Sequence, residues 1–371
     1  MYIPRSLEAK VESSLFKGKL VVVYGARRTG KTTLVQRILE KYGGKYLNCD
    51  EPDVRNSLTN KTSTELSILF KGYKLVVIDE AQRVRNIGLT LKLAADNLHE
   101  VQIIATGSSS FDLSNKIKEP LTGRAIEYTL TPLLVSEVNT DVWEADRRLE
   151  SWLRYGLYPE VAAKPENAED TLKTIFKSFL YKDVLEFAGL KNPEMVEKLV
   201  TALALQIGQE VSYTELANIV GVDQKTISIY VRLLELGFVV YRLQPLSRNL
   251  RKEISKSRKI YFWDLGVRNA VISNFNPLEL RNDIGQLWEN FVIMERVKRE
   301  MVTGGTTNKY FWRTWDQQEV DYIEEAGGRL EATEIKWKKV KTNPPKVWTK
   351  TYPNSNWRGI DRSNYWEFVK L

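Results

Sequence analysis

Residues 25–32 read GARRTGKT and match G-x4-G-K-[ST], the pattern of a glycine-rich loop that binds phosphate groups. The loop directly follows an apolar segment, residues 20–24, and precedes a helical segment, residues 33–40. Glycines let such a loop curl until its backbone N–H groups point at phosphate oxygens, and the N-terminus of the next helix favours negative charge. In this pattern Lys31 reaches the β- and γ-phosphates and the Thr32 hydroxyl coordinates Mg²⁺. We therefore predict a phosphate-binding loop made of Gly25, Ala26, Arg27, Arg28, Thr29, Gly30, Lys31, Thr32 and Thr33.

Two adjacent acids, Asp79 and Glu80, follow the next apolar segment and are candidates for hydrolytic chemistry. Asp79 is expected to hold the magnesium ion, directly or through water. Glu80 is expected to orient and deprotonate the attacking water. Both roles depend on the phosphate-binding loop, because two acids at the end of a strand are otherwise common on a solvated surface.

Two further positions have a chemical and a structural interpretation. Thr106 and Ser108 follow the third apolar segment, where a polar side chain either senses the γ-phosphate and holds the water or belongs to a plain Gly/Ser turn. Arg124 either supplies positive charge to the transition state or is a surface arginine. We take Thr106 and Arg124 as catalytic candidates together with Lys31 and Glu80.

A second constellation of charged residues lies near the end of the chain. Asp321 is in an alternating segment, and Glu334 and Lys336 share one face of a predicted strand because strand side chains alternate. Two carboxylates that meet across a hairpin can hold Mg²⁺, and a lysine beside them can activate water or stabilise phosphate charge. This spacing resembles the D…ExK signature of restriction-endonuclease-like enzymes. Glu289, on the preceding helix, is a candidate third acid that is either solvated or directed into a cleft.

The elements that must position the first set of residues follow from hydrophobic patterning. Nearly continuous β-branched runs at 20–24, 75–78 and 101–105 are typical of parallel strands that are buried on both faces. Helical stretches separate these runs. We therefore predict an α/β fold with a parallel sheet over residues 1–140.

Residues 194–242 resemble a winged helix-turn-helix unit. The patterning predicts helices at 195–207, 213–220 and 223–236 and a strand at 238–243. Ser212 or Thr214 is expected to cap the second helix, and Asp223 the third.

In such a unit the exposed face of the third helix enters the DNA major groove. Its exposed candidates are Gln224, Lys225, Ser228 and Arg232. The following stretch, residues 248–259, holds six cations and one acid, so it either attracts a DNA backbone or is a solvated loop. We predict nucleic-acid contacts through Gln224, Lys225, Arg248, Arg251 and Lys252, with a lid or a protein-contact module as the alternative role of the unit.

The composition excludes several classes of site. One cysteine, Cys49, and one histidine, His99, leave too few ligands for a disulfide framework, a zinc site or a choice of Cys–His pairs, and both are interpreted as structural. Any metal site therefore uses oxygen ligands, which favours magnesium or manganese. The net charge of +8 allows a polyanionic partner. The longest nearly apolar run, residues 199–207, is too short for a transmembrane helix, and the first residues lack an apolar signal core, so a cytoplasmic protein without a membrane partner is expected.

The order of motifs along nearly the whole chain resembles that of a group of bacterial and archaeal AAA-type ATPases with a C-terminal region of unassigned role. The matching segments are GARRTGKTTL, VVIDEAQ, IATGSSS, LTGRAIEYTLTPLLVSE, YGLYPEV, IYFWDLGVRNA, LWENFV and the pair EVDYI and EIKW. One departure is YGLYPE, in which a second glycine is expected. The resemblance implies that the chain binds and hydrolyses ATP with magnesium.

These observations predict three domains. They are a P-loop AAA-type ATPase domain at 1–140, a helical lid with a winged helix-turn-helix at 141–262, and an α/β restriction-endonuclease-like domain at 263–371. The leading hypothesis is a Mg²⁺-dependent ATPase that acts on or with DNA, whose nuclease-like domain binds or cleaves it. The alternative is an ATP-dependent switch that controls a protein partner, with an inactive nuclease-like domain. The oligomeric state stays open, as does whether Arg124 acts in its own chain or on a neighbour.

Overall fold

Five short segments of the first 130 residues form one parallel sheet in the structure of the chain, a computed structural model. The structure describes residues 2–107, 117, 119–139, 141–178, 193–246, 258–314, 317–340 and 343–371. The strands are β1 (Leu20–Tyr24), β2 (Lys45–Asn48), β3 (Leu75–Asp79), β4 (Gln102–Gly107) and β5 (Ala125–Thr129). The helices are α1 (Ser6–Ser14), α2 (Lys31–Tyr42), α3 (Pro52–Leu58), α4 (Ser63–Phe70) and α5 (Ile87–Asn97).

The strand order β2-β3-β4-β1-β5 confirms the predicted α/β fold with a parallel sheet. Every residue of β1, β3 and β4 is buried, as their apolar patterns predict. One face packs against α1 and α2, and the other joins the larger core that contains Leu91 of α5. Strand β2 was not predicted, because its four residues include one fully buried side chain, Leu47, and lie at the edge of the sheet.

A helical part follows, with α6 (Val135–Val138), α7 (Val142–Tyr155), α8 (Pro159–Ala163), α9 (Ala168–Ser178), α10 (Pro193–Leu205), α11 (Tyr213–Val220) and α12 (Gln224–Leu236). The three helices predicted for the winged helix-turn-helix therefore form within two residues of their expected bounds. Ser212 and Asp223 cap α11 and α12 through bonds from the backbone N–H groups of Glu215 and Thr226, as predicted. The winged-helix assignment of this unit stays a prediction.

The last part of the chain forms a six-stranded mixed sheet. It contains β6 (Val240–Pro245), β7 (Lys259–Phe262), β8 (Asn308–Arg313), β9 (Glu319–Ala326), β10 (Arg329–Ile335) and β11 (Asn356–Ile360), in the order β11-β10-β9-β8-β6-β7. Its helices are α13 (Leu265–Val271), α14 (Ile284–Thr303), α15 (Lys346–Thr351) and α16 (Tyr365–Val369). Because β6 pairs with both β7 and β8, the predicted division after residue 262 does not coincide with a break in this sheet.

The turn in YGLYPE joins the helical part to the segment that follows β7. The left-handed φ of +68° at Gly156 favours glycine, and a Cβ there would lie 2.1 Å from a carboxylate oxygen of Asp264. That buried carboxylate accepts a hydrogen bond from the Leu157 N–H at 2.6 Å and also caps α13. Burial raises the pKa of Asp264, and the Lys298 ammonium and three backbone N–H groups oppose this shift. The YGLYPE turn and the start of α13, which are far apart in sequence, are therefore held together by the Asp264 carboxylate.

Candidate functional site

The phosphate-binding loop has a backbone that only glycine tolerates at two positions. Gly25 has φ +156°, and a Cβ on it would lie 2.1 Å from the Leu130 carbonyl oxygen. Gly30 has φ +94° and directly precedes α2. The loop therefore curls back onto the N-terminus of α2, as the sequence predicts, and its backbone N–H groups and the helix dipole favour an anion there.

Two of the predicted side chains, those of Thr32 and Thr106, meet at Asp79, which is 2% exposed at the end of β3. The Thr32 hydroxyl donates to Asp79 Oδ2 at 2.8 Å. The Thr106 hydroxyl donates to the other oxygen of Asp79 and accepts the Glu80 backbone N–H at 3.2 Å. Thr106 therefore lies beside the two acids, whereas Ser108 lies outside the described residues.

Lys31 and Glu80 are each held by neighbouring groups. Lys31 Nζ is buried and donates to the backbone carbonyls of Gly25 and Ala26, each at 2.9 Å. Glu80 has a left-handed φ of +53°, which turns its side chain away from the strand direction, and its carboxylate accepts a hydrogen bond from the Gln82 amide. Glu80 follows the carboxyl end of β3, and the phosphate-binding loop follows the carboxyl end of β1. Because the carboxyl ends of parallel strands lie on the same side of a sheet, a general base at Glu80 lies on the same side as the loop.

Two residues at this edge were not predicted. Arg5 is 7% exposed and donates to the carbonyls of Thr29 at 2.7 Å and Thr131 at 2.8 Å, and it pairs with Glu137 at 3.1 Å. The Tyr46 hydroxyl donates to Asp79 Oδ2 at 2.6 Å. Arg5 thereby holds the loop backbone at Thr29, and Tyr46 holds the Asp79 carboxylate. No local sequence pattern distinguishes either residue, since their partners are distant in sequence.

Arg124 does not lie at the phosphate-binding edge, which separates it from the loop of its own chain, one of the two placements that the sequence leaves open. Ala125 pairs with Leu20, the first residue of β1, whereas the loop follows the last. Five strand residues separate the two positions by about 16 Å, beyond the reach of an arginine side chain. Arg124 instead pairs with Asp96 at 2.5 Å. Only a role across an interface between chains stays a prediction.

The two arginines of the loop lie beside the helical part. Arg28 has φ +63° and pairs with Glu160 of α8 at 3.1 Å, where both side chains are exposed. Arg27 lines a small cleft between the loop and α9 with Ala26 and Phe238. Both therefore link the loop to the helical part.

Two residues of the second predicted constellation, Asp321 and Lys336, line a cavity of about 540 Å³ between the mixed sheet, α14 and the turn after α10. Asp321 on β9 accepts the Ile335 N–H at 2.7 Å and bonds Lys336 Nζ at 3.0 Å. Lys336 also pairs with Glu334 at 2.8 Å. The structure therefore brings Asp321, Glu334 and Lys336 together as predicted.

Glu289 is directed into this cavity, which decides between its two predicted environments. Its carboxylate accepts the Tyr261 hydroxyl at 2.7 Å and Lys259 Nζ at 3.0 Å. Burial raises the pKa of Glu289 to about 7, against the opposing effect of the Lys259 charge. Sequence reasoning missed Lys259, which is 2% exposed and also pairs with Glu319.

The charges of the cavity shift one another's protonation equilibria. Burial and the neighbouring Asp321 carboxylate raise the pKa of Glu334. Burial lowers the pKa of Lys336, but Asp321 and Glu334 outweigh this effect and raise it above the ordinary value. Burial also lowers the pKa of Lys259, but the neighbouring carboxylates, chiefly Glu289, outweigh this effect and raise it above the ordinary value. Both lysines are therefore ammonium ions at neutral pH, between carboxylates.

The donor set of the cavity suits a hard cation with few protein ligands. Over the part of the chain that the structure describes, no group of three or more histidine, cysteine, aspartate or glutamate side chains is placed to hold a metal ion. Asp321 and Glu334 supply two carboxylates, and Mg²⁺ commonly keeps waters beside one or two carboxylates. The predicted pair is thus compatible with magnesium.

The predicted nucleic-acid residues are only partly described. Gln224 and Lys225 are exposed at the start of α12, on the solvent side of the helical part. Arg248, Arg251 and Lys252 lie outside the described residues. Contact with DNA through this set stays a prediction.

Models of three families match the chain. That of the AAA domain matches residues 17–139, which include the phosphate-binding loop, Asp79 and Thr106. Residues 17–139 form an AAA-type P-loop ATPase domain. Two families described as domains of unknown function, DUF8612 and DUF4143, match residues 146–278 and 284–355, after the ATPase domain.

Similar proteins extend over most of the chain. The uncharacterized protein Rv2008c of Mycobacterium tuberculosis is 29% identical over 349 residues, which cover 92% of this chain and 75% of the relative. The uncharacterized protein MJ1544 of Methanocaldococcus jannaschii is 26% identical over 340 residues, with 84% and 74% covered. The Walker-type ATPase PABY2304 of Pyrococcus abyssi aligns with a TM-score of 0.50 and 16% identity over 73% of this chain and 96% of its own. The last likeness is one of fold. Among the described helices, none is both long and apolar enough to cross a membrane.

A buried ion pair connects the ATPase domain to α14. Glu295 and Lys298 bond to each other at 2.9 Å, and their side chains are 1% and 3% exposed. Glu295 accepts the Val135 N–H at 2.9 Å, and Lys298 Nζ donates to the Leu133 carbonyl at 3.3 Å. Glu289 of the cavity lies on the same helix, about 9 Å along its axis from Glu295. Helix α14 therefore contacts the ATPase domain and also lines the cavity that contains Asp321.

Proposed function

We propose that the chain is a Mg²⁺-dependent ATPase that acts on or with DNA, and that ATP turnover gates the cavity lined by Asp321 and Lys336, with Glu334 paired to Lys336 beside it. The observation that carries this proposal is α14. Its Glu295 and Lys298 contact the segment that follows β5, and its Glu289 lines the cavity. The same segment holds Glu137, which pairs with Arg5 beside the loop. A change at the loop can thus move a rigid helix at the second site.

The residues of the ATPase domain divide the hydrolytic work. Backbone N–H groups of the loop and Lys31 bind the β- and γ-phosphates. Thr32 and Asp79 would hold magnesium, which would neutralise charge on the phosphate oxygens. Glu80 takes the proton of the attacking water, and Thr106 orients Asp79 and the Glu80 backbone through its hydroxyl.

In the second cavity, Asp321 and Glu334 would hold a divalent ion and Lys336 would stabilise charge on a phosphate. Cleavage at this site adds one water across a phosphodiester P–O bond and leaves a phosphate and a hydroxyl end. The constellation Asp321, Glu334 and Lys336 supports this chemistry because Lys336 bonds both carboxylates, which therefore lie close together. We assign this part of the chain a restriction-endonuclease-like fold.

DNA is the proposed polyanionic partner. The net charge of +8 supports it, as do the exposed Gln224 and Lys225 and the cationic stretch that contains Arg248, Arg251 and Lys252. Binding through such residues weakens steeply as salt increases. Arg124 is proposed to act between neighbouring chains of an oligomer, since it lies away from its own loop.

Incubation of plasmid DNA with the full chain and Mg²⁺ or Mn²⁺ tests the assigned cavity. The proposal predicts nicking that is lost in Asp321→Ala and in Glu334→Ala. Nicking that survives both substitutions would show that another site cuts. Absence of DNA binding at low salt would contradict the DNA partner.

A second candidate function is an ATP-dependent switch that controls a protein partner. The pairing of Asp321 and Glu334 with Lys336, and of Glu289 with Lys259, favours it, because these carboxylates are already neutralised by ammonium groups. A switch predicts ATP hydrolysis that is indifferent to every DNA form and a cavity that cuts nothing. The nicking and binding measurements therefore separate the two functions.

A further inference from the structure

We propose that Tyr46 is a positioning residue for magnesium in the ATPase domain, acting through Asp79. The inference rests on the proposed Mg²⁺-dependent ATP hydrolysis and adds a residue to it. Its basis is the hydrogen bond of 2.6 Å that the Tyr46 hydroxyl donates to Asp79 Oδ2. The two residues are 33 positions apart, so the contact exists only in the folded sheet.

The parallel pairing of β2 with β3 explains why Tyr46 reaches the acid. Tyr46 lies opposite Val77, whose side chain packs in the core beneath α2. Asp79, two residues further along β3, faces the same side because strand side chains alternate. Long side chains reach such diagonal neighbours across paired strands. The first turn of α2 brings Thr32 to the same carboxylate.

Three hydroxyl groups together fix the Asp79 carboxylate. Thr32 and Tyr46 donate to one oxygen, and Thr106 donates to the other. With both oxygens held, the carboxylate cannot rotate, and the Thr32 hydroxyl directs its hydrogen to Asp79 and its lone pairs away from it. Those lone pairs are what a magnesium ion would use. The Tyr46 hydroxyl is the donor of this bond, since a phenol keeps its proton at neutral pH.

The substitution Tyr46→Phe removes the hydroxyl and keeps the ring. The matched control is Tyr73→Phe, because Tyr73 is 42% exposed and Tyr46 36%, and Tyr73 precedes β3 at the opposite edge of the sheet. The affinity of the full chain for a fluorescent ATP analogue is measured in EDTA and over a Mg²⁺ titration. Thermal unfolding of each variant confirms that it is folded.

We expect Tyr46→Phe to need about tenfold more Mg²⁺ for half-saturation, since loss of a group that orients a metal ligand typically costs 10–100-fold in metal affinity. Its affinity in EDTA and the behaviour of Tyr73→Phe should match wild type. Equal Mg²⁺ half-saturation in Tyr46→Phe and wild type would overturn the inference, as would an equal loss of affinity in EDTA. A wild-type chain without any Mg²⁺ effect would overturn the proposed magnesium dependence as well.

Discussion

The buried pair Glu295–Lys298 allows a direct test of the contact between the ATPase domain and α14. The substitution Lys298→Met leaves the Glu295 carboxylate, 1% exposed, without its cation. Removing one partner of a buried ion pair costs about 3–5 kcal/mol in the free energy of unfolding. In the double variant Glu295→Gln/Lys298→Met, the charge is gone and the amide oxygen can still accept the Val135 N–H. We expect the double variant to be more stable than Lys298→Met, because neutral replacements of buried pairs are often tolerated, and to keep a smaller deficit because the buried Asp264 carboxylate also loses the Lys298 charge.

Urea unfolding followed by tryptophan fluorescence measures these differences. Burial raises the pKa of Glu295, so proton uptake by the folded state relieves the unpaired charge at low pH. The difference in the free energy of unfolding between wild type and Lys298→Met should therefore become smaller as pH falls from 8 to 5. A Lys298→Met variant as stable as wild type, or a double variant as unstable as the single one, would refute the reasoning.

Three further predictions concern single positions. Gly25→Ala should abolish binding of a fluorescent ATP analogue, because its Cβ would lie 2.1 Å from the Leu130 carbonyl oxygen; wild-type affinity would contradict this. The pKa of Glu289 is raised from an ordinary 4.5 to about 7, so the folded state binds a proton more tightly than the unfolded state and the free energy of unfolding decreases as pH rises between these values. Glu289→Gln should therefore flatten the pH dependence of the unfolding midpoint in that window. An unchanged slope would show that Glu289 does not titrate there. Arg124→Ala should leave ATP hydrolysis by monomeric protein unchanged, since Arg124 pairs with Asp96 at the far edge of the sheet; a loss of turnover by monomers would contradict that placement.

Local patterns predicted the part of the fold whose determinants lie within a few residues of one another. The phosphate-binding loop is one, since Gly25 and Gly30 need special backbone angles and lie next to the helix that they precede. The caps Ser212 and Asp223 are others, since each binds an N–H three residues ahead. The position of Glu289 around its helix is compatible with either a solvated side chain or one directed into a cleft. Only its tertiary contact with Lys259 shows that it is directed into the cavity.

Contacts between distant segments could not be predicted from local patterning. Arg5 meets Thr131 across 126 positions, and Lys259 meets Glu289 across 30. Such partners follow from strand order, and the pairing of β6 with β8 has no local sequence signal. The sequence left open whether Arg124 acts in its own chain for the same reason, because only the pairing of β5 with β1 shows that it lies where β5 begins and not where the strands end.

The central claim is that ATP turnover in the ATPase domain is coupled to DNA. Its most direct test is the steady-state rate of ATP hydrolysis with and without single-stranded and duplex DNA, in wild type and in Lys31→Ala. We expect at least one DNA form to change the wild-type rate at low salt and Lys31→Ala to hydrolyse no ATP in any mixture. A wild-type rate that is the same with every DNA form, or turnover that persists in Lys31→Ala, would contradict it.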